Sequence, residues 1–295
     1  MKAKTIFCCL ICLTAAVFAQ PKIALSGTIE WDKLEINSVV ALNMASAGLR
    51  LPGGRMQSEA IIASEYVRLI RPGVLAVQVD SSSSVADLVN RGEWDSSDVE
   101  NHILQSRSVP PALSPDFSNL LASYSISIDS IGSALLRHQR PADIPRTLNP
   151  VSAPAYTGII IIASDTLPVH GMRGTALLRP CLFPKIWDTD MKLIFEKNML
   201  NPGARAMVRY FTSHDIFMTG PSGLSPKITA VVGSHPLRIF SRGVFGMQPT
   251  DPIINREDAL RIISNDENRK LLREGRIAVI INDTMLKDPL PGETE

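Results

Sequence analysis

The chain has 295 residues, 45% of them hydrophobic and 20% charged, with a formal charge of +1. This is ordinary globular composition, enough for one large or two small domains of roughly 100–200 residues each. Near-neutral charge without a basic cluster excludes an electrostatic footprint for nucleic acid, and an aromatic content of 5% leaves no stacking platform for single strands or sugars.

Met1–Ala19 has the layout of a secretory signal. Lys2 and Lys4 make a positive start, Thr5–Phe18 is uncharged and apolar, and Val17 and Ala19 stand where a signal peptidase reads, so cleavage is expected after Ala19. Cys8, Cys9 and Cys12 lie inside the apolar run rather than after it, which predicts an unlipidated, exported, periplasmic chain. Cys181 is then the one remaining thiol, so no intramolecular disulfide forms, and its neighbours Leu178, Leu182 and Phe183 predict burial. No other apolar run approaches the ~20 residues of a membrane span.

Residues 20–140 read as an N-terminal domain. Thr28–Ile36 is expected as one strand and Val39–Ala45 as a second, followed by a turn at Leu51–Gly54. Met56, Ala60, Ala63, Val67 and Ile70 recur at helical spacing, predicting a helix with this stripe in the core, stopped by Pro72 and Gly73. Val74–Val79 is expected as a strand. Ser84, Asp87 and Gly92 frame a short capped helix over Val85–Arg91. Another helix follows near Ser97–Ser106, broken by Val109-Pro110-Pro111. Phe117–Ala122 suggests a helical turn, Tyr124–Ile128 a strand, and Ile131–His138 either a strand or a short helix. Trp31, Trp94 and Trp187 are read as packing residues.

Four prolines between Pro141 and Pro154 mark an extended linker over 141–155. A second domain is placed at 156–283. Ile159–Ile162, four isoleucines between Gly158 and Ser164-Asp165, is too short for an ordinary helix. Its β-branched side chains on both faces predict a central strand covered on each side. A hairpin turning at Asp188-Thr189-Asp190 is expected between Lys185–Asp188 and Lys192–Phe195. Then come a short helix at Pro202–Phe211, a loop at Gly220–Gly223, and strands at Lys227–Val232 and Leu237–Gly243. Asn255 is read as the cap of one helix. Ser264–Glu267 is read as a capping box opening another that ends at Gly275. A closing strand Arg276–Ile281 and a frayed tail (284–295) complete the chain. Strands and helices mix without a βαβ rhythm, so the fold class is α+β, mixed sheets with short helices.

The chemistry is sparse. Gly220-Pro221-Ser222-Gly223 lacks the spacing of a nucleophile elbow. No phosphate-binding or dinucleotide glycine motif is present, and His102, His138, His170, His214 and His235 are scattered. Asp165, His170, Asp188 and Asp190 flank the central strands and are the one group worth testing as a hydrolytic or metal site. A D-x-D in a hairpin is more often turn chemistry. No catalytic, metal or cofactor-binding residue is therefore assigned, and no cofactor is expected.

The second half resembles a known pattern. Tyr156-Thr157-Gly158 with its isoleucines, Pro184–Asp188, Ala204–Tyr210, Pro236-Leu237 to Gly243, Asp258-Ala259 and Arg276–Ile281 follow one another as in exported bacterial proteins related to the flagellar accessory protein FlgT and its lipoprotein relatives. The whole chain is similar to secreted proteins of spirochaetes. It departs from the FlgT-like pattern at Ala163–Thr166, where relatives carry Asp-Ala-Arg-Gly. The resemblance implies a non-enzymatic periplasmic assembly protein, associated with the flagellar motor or outer membrane. Its partners would be envelope or flagellar proteins or further copies of itself. The alternatives are a small-molecule-binding module in a cleft across the linker and a metal-dependent hydrolase using Asp165, His170 and Asp188.

Overall fold

The computed structural model describes residues 22–216 and 223–291. The expected signal segment Met1–Ala19 and most of the Gly220–Gly223 loop lie outside the described residues.

The N-terminal half runs β1 (Ile23–Glu30), β2 (Glu35–Asn43), α1 (Gly54–Leu75), α2 (Val85–Asn90), α3 (Ser96–Leu104), β3 (Arg107–Leu113), β4 (Asn119–Ser127) and α4 (Ile128–Leu135). The expected strand Thr28–Ile36 is instead the end of β1, a turn and the start of β2. Its apparent alternation hides the turn because Trp31 and Leu34, at the turn's two ends, both point inward. β2 alternates cleanly: Ile36, Ser38, Val40 and Leu42 are buried, while Glu35, Asn37, Val39 and Ala41 face outward. β4 absorbs the expected helical turn at Phe117–Ala122, because its register with β2 buries Leu120 and Ala122. Pro110 and Pro111 do not break a helix but sit in β3, an edge strand. Its register with β4 shifts between Val109 and Ala112, where missing N–H groups are tolerated.

α1 packs across the inner face of this sheet with a different stripe from the one expected. Ser58, Ile62, Tyr66 and Ile70 are buried, whereas Met56 is 80% exposed. The true stripe starts on a serine, whose hydroxyl donates to Gly54 O at 2.9 Å, so hydropathy alone points to the wrong face. Tyr66 stacks on Tyr124 of β4 at 3.7 Å. The helix runs through Pro72 to Leu75, because Gly73 and Val74 are buried in the core. The expected strand Val74–Val79 reduces to a single bridge between Gln78 and Ser84. α2 carries the expected capping box, with Asp87 N donating to Ser84 Oγ and Ser84 N to Asp87 Oδ2.

Residues 141–155 contain no regular element. Then follow β5 (Ile159–Ala163), β6 (Leu167–Pro168), β7 (Thr175–Ala176), β8 (Ile186–Asp188), β9 (Leu193–Phe195), β10 (Arg209–Phe211), α5 (Ser213–Ile216) and α6 (Pro226–Val232). The chain continues through β11 (Leu237–Phe240), β12 (Gly243–Phe245), β13 (Asp251–Ile254), α7 (Arg256–Ile263), α8 (Asp266–Arg273), β14 (Ile277–Ile281) and β15 (Lys287–Pro289). The isoleucine run is the interior strand expected of it. β5 lies between β14 and β11 in an all-parallel sheet ordered β10-β14-β5-β11. Ile159 and Ile161 face the main core, and Ile160 faces α5 and α6. The parallel strands, with α6 between β10 and β11, supply a crossover rhythm that the sequence hid. Mixed α and β content over several sheets keeps the fold α+β. The hairpin β8–β9 belongs to a second sheet, β12-β13-β8-β9.

Two elements exchange type. Lys227–Val232 is helical despite its β-branched side chains, because Ser225 Oγ accepts from Ile228 N at 3.3 Å and Pro226 opens the first turn. Pro202–Phe211 is not a helix, since its last three residues pair with β14 as β10. In the Ser264–Glu267 box, Asn265 does the capping, accepting from Glu267 N at 2.8 Å. Asn255 precedes α7 without a side-chain cap bond.

Part of the expected frayed tail is an ordered strand, Lys287–Pro289, while residues 292–295 lie outside the described residues. β15 pairs antiparallel with β1, completing the N-terminal sheet as β15-β1-β2-β4-β3. Leu290 is 3% exposed and donates its N–H to Gly27 O at 3.1 Å. It fills the space that side chains at Gly27 and Gly73 would take. A Cβ on either glycine would lie 2.9 or 2.6 Å from its methyl groups. One contiguous core runs through both halves. Truncating Leu290 to Ala removes a buried side chain packed between β1 and α1 and is expected to cost about 2–5 kcal/mol. Chemical denaturation followed in both halves should show one transition shifted to lower denaturant. Two separated transitions, or no shift, would contradict the shared core.

Candidate functional site

The outer face of the N-terminal sheet is covered by no other element among the described residues. In β1 the residues at even positions point there, and in β2, β4 and the first part of β3 those at odd positions. The strand register lines them up in rows: Ser26, Val39, Ser123 and Val109 in one, Thr28, Asn37, Ser125 and Arg107 in the next. Together they bound a trough of about 650 Å³. Its floor combines short polar side chains with the half-buried Val39, and Val109 at its side is 63% exposed. One end is closed by an ion pair between Arg107 and Glu35. Ser125 Oγ is buried at the floor with no hydrogen-bond partner among the described residues. The trough thus offers donors, acceptors and small apolar patches, but no nucleophile with a base beside it.

The residues singled out for chemistry serve other roles. Asp188 is 4% exposed, and its Oδ1 accepts from Asp190 N at 2.9 Å and Lys192 N at 2.8 Å, so it builds its own hairpin turn. Asp190 lies 3.5 Å from Arg256. Asp165 is exposed after β5, and His170 is exposed with its ring 6.0 Å from that of Phe245. Among the described residues, no group of three or more His, Cys, Asp or Glu is arranged to hold a metal ion. No described helix is long and apolar enough to cross a membrane.

Cys181 is buried, as its neighbours predict, and burial pushes its thiol well up. Its backbone is gripped by Tyr210, whose hydroxyl donates to Cys181 O at 2.8 Å and accepts from Cys181 N at 3.0 Å. The edge of the Tyr210 ring meets Trp31 at 6.1 Å. Trp31 is 1% exposed, and its indole Nε1 donates to Asp288 Oδ2 at 3.0 Å. This line of contacts joins second domain, first domain and tail. Nearby, Leu182 N and Phe183 N donate to Gln78 O and Val79 O at 3.0 and 2.8 Å, and Arg209 pairs with Asp129 at 2.7 Å. Trp94 is buried beside His102, while Trp187 is only half-buried.

Sequence reasoning passed over Asp251. It is fully buried in β13 and accepts from Lys185 N at 3.1 Å, Thr250 Oγ1 at 3.0 Å and Trp187 Nε1 at 3.3 Å. Burial pushes its carboxyl above the ordinary range, with the hydrogen bonds opposing. The trough was equally hidden, since alternate residues of four separate strands carry no local motif.

The fold defines a two-domain α+β protein with an open trough on the outer face of its first sheet. Residues 22–134 match the family model described as Treponema pallidum Tp0624, N-terminal domain, and residues 158–283 match that of Treponema pallidum Tp0624, second domain. The chain is built from these two domains in that order, which places it in a spirochaete protein family. No curated protein matches it.

The Asp251 environment sets a pH dependence. Its folded-state value is raised above the unfolded 3.8, so the folded chain holds this proton more tightly. That contribution to stability is fully present below the unfolded value and is lost as pH rises through the folded one. Asp251→Asn removes it. The stability of the native protein relative to this variant should fall as pH rises from about 3.8 through the raised value, read from urea midpoints at each pH. A difference that stays constant or grows with pH would contradict the assignment.

Proposed function

We propose that this is a non-enzymatic assembly protein of the cell envelope, acting through protein–protein contacts made by the open face of its N-terminal sheet. The observation that carries the reading is the trough itself. It is about 650 Å³ in volume, polar on its floor, apolar at Val39 and Val109, and bounded by a charged pair at one end. Small side chains let an incoming segment approach the backbone closely. A polar surface of this type gives register and selectivity more than raw affinity.

The address and the assembly are also proposals. The layout of Met1–Ala19 supports export to the periplasm, and the FlgT-like order of motifs over residues 156–283 supports a place beside the flagellar motor or outer membrane. Partners would then be envelope or flagellar proteins.

Asn37→Arg with Ser123→Arg would fill the trough with long charged side chains on outward-facing positions. The pair should leave the melting temperature within a few degrees of the native protein, since surface changes usually cost little. In-cell crosslinking with mass spectrometry should then show loss of the specific envelope partners captured by the native chain. Unchanged crosslinks in a folded variant would remove the trough from the function.

A further inference from the structure

A second groove, of about 340 Å³, lies between the linker and the second domain. Its floor is apolar, formed by Leu193 and Ile194 of β9 and by Leu260 and Ile263 of α7. Leu193, Leu260 and Ile263 are only half-buried, so the floor remains open to solvent. The linker passes over it as an arch. Ile144, 3% exposed, anchors one end, and Val151 N donates to Ser264 Oγ at 3.0 Å at the other. Between them the only hydrogen bonds among the described residues join Thr147 and Asn149 to each other. Leu148, at the top of the arch, is 98% exposed.

The charges around the groove are unequal. Arg146, Lys192 and Arg256 stand on its rim. Both nearby carboxylates are engaged, Asp188 by the N–H groups of its own turn and Asp190 by Arg256 at 3.5 Å. Arg146 and Lys192 are exposed and form no ion pair among the described residues. Behind the linker, Arg269 and Arg273 are neutralised by Asp266 and Asp143, so the unpaired positive charge on the rim, among the described residues, is that of Arg146 and Lys192.

We propose that this groove binds a short acidic–apolar peptide segment of a partner protein. Large apolar side chains would enter between Leu193, Leu260 and Ile263 beneath the arch, and carboxylates would meet Arg146 and Lys192 on the rim. An apolar floor with a few placed charged groups is the general form of a specific pocket, and this volume is at the small end of the ~300–1,000 Å³ range. The site is separate from the sheet trough, so the chain would hold two partner segments at once.

The test uses the mature chain and an end-blocked, fluorescent hexapeptide of alternating leucine and glutamate, followed by anisotropy. Binding should weaken as salt is raised. Arg146→Glu with Lys192→Glu should weaken it at least about tenfold, and Leu260→Ser similarly. If Leu260→Ser fails to fold, the charge-reversal pair, confined to exposed side chains, decides. A leucine–lysine hexapeptide that binds equally well would overturn the proposal, as would an unchanged affinity in the double variant or no binding of the acidic peptide. Binding of the native chain to phosphatidylglycerol vesicles that is lost in the same variants would also overturn it, by assigning the groove to lipid.

Discussion

The structure depends on the burial of Trp31. It stands at the turn between the first two strands, where a large apolar ring must find cover. The cover comes from elsewhere in the chain: the Tyr210 ring from the second domain on one side and the returning C-terminal segment on the other. Aromatic rings bury on the order of 150–250 Å² each, and an edge-to-face pair adds ~0.5–1.5 kcal/mol beyond that area. The indole N–H, which would be costly to bury alone, is satisfied by Asp288. Because these partners all lie beyond the linker, the core of the first domain is completed by the second half of the chain. The tail that might have been loose is instead the fifth strand of the first sheet.

That arrangement explains why some of the fold was legible in the sequence and some was not. Ile159–Ile162 was readable because a β-branched run flanked by breakers has one physical outcome, a covered strand. The α2 helix was readable because Ser84 and Asp87 satisfy each other within one turn, and the buried Cys181 was readable from its neighbours. The errors occur where distant contacts override local preference. Ser58 occupies the buried face of α1 because its hydroxyl is satisfied within the helix, while Met56 of similar spacing lies in solvent. Residues 227–232 look like a strand until Ser225 and Pro226 are seen to start a helix. Residues 287–290 look like a tail until β1 is seen to lack a neighbour.

The functional surfaces were less legible still. A trough assembled from alternate residues of four strands has no contiguous signature, and its chemistry arises only once the register is fixed. The residues that did stand out locally were engaged in structure. Asp188 shapes its hairpin, and Asp190 pairs with Arg256, whereas Asp251, which did not stand out, holds the Trp187 indole and Lys185 N below the surface. The linker looked like a spacer by composition. In the structure its middle section arches over an apolar floor between two fixed ends.

Both surfaces matter to the proposed role only if their relative geometry is fixed, which returns to Trp31 and the C-terminal strand. Native-state hydrogen exchange measures this directly. The account predicts that the Leu286 and Leu290 amides exchange through the same global opening as those of β2 and β14, with matching protection and matching denaturant dependence. Amides at 286–290 that exchange orders of magnitude faster, while both domains stay protected, would show the tail to be peripheral and the domains independently held.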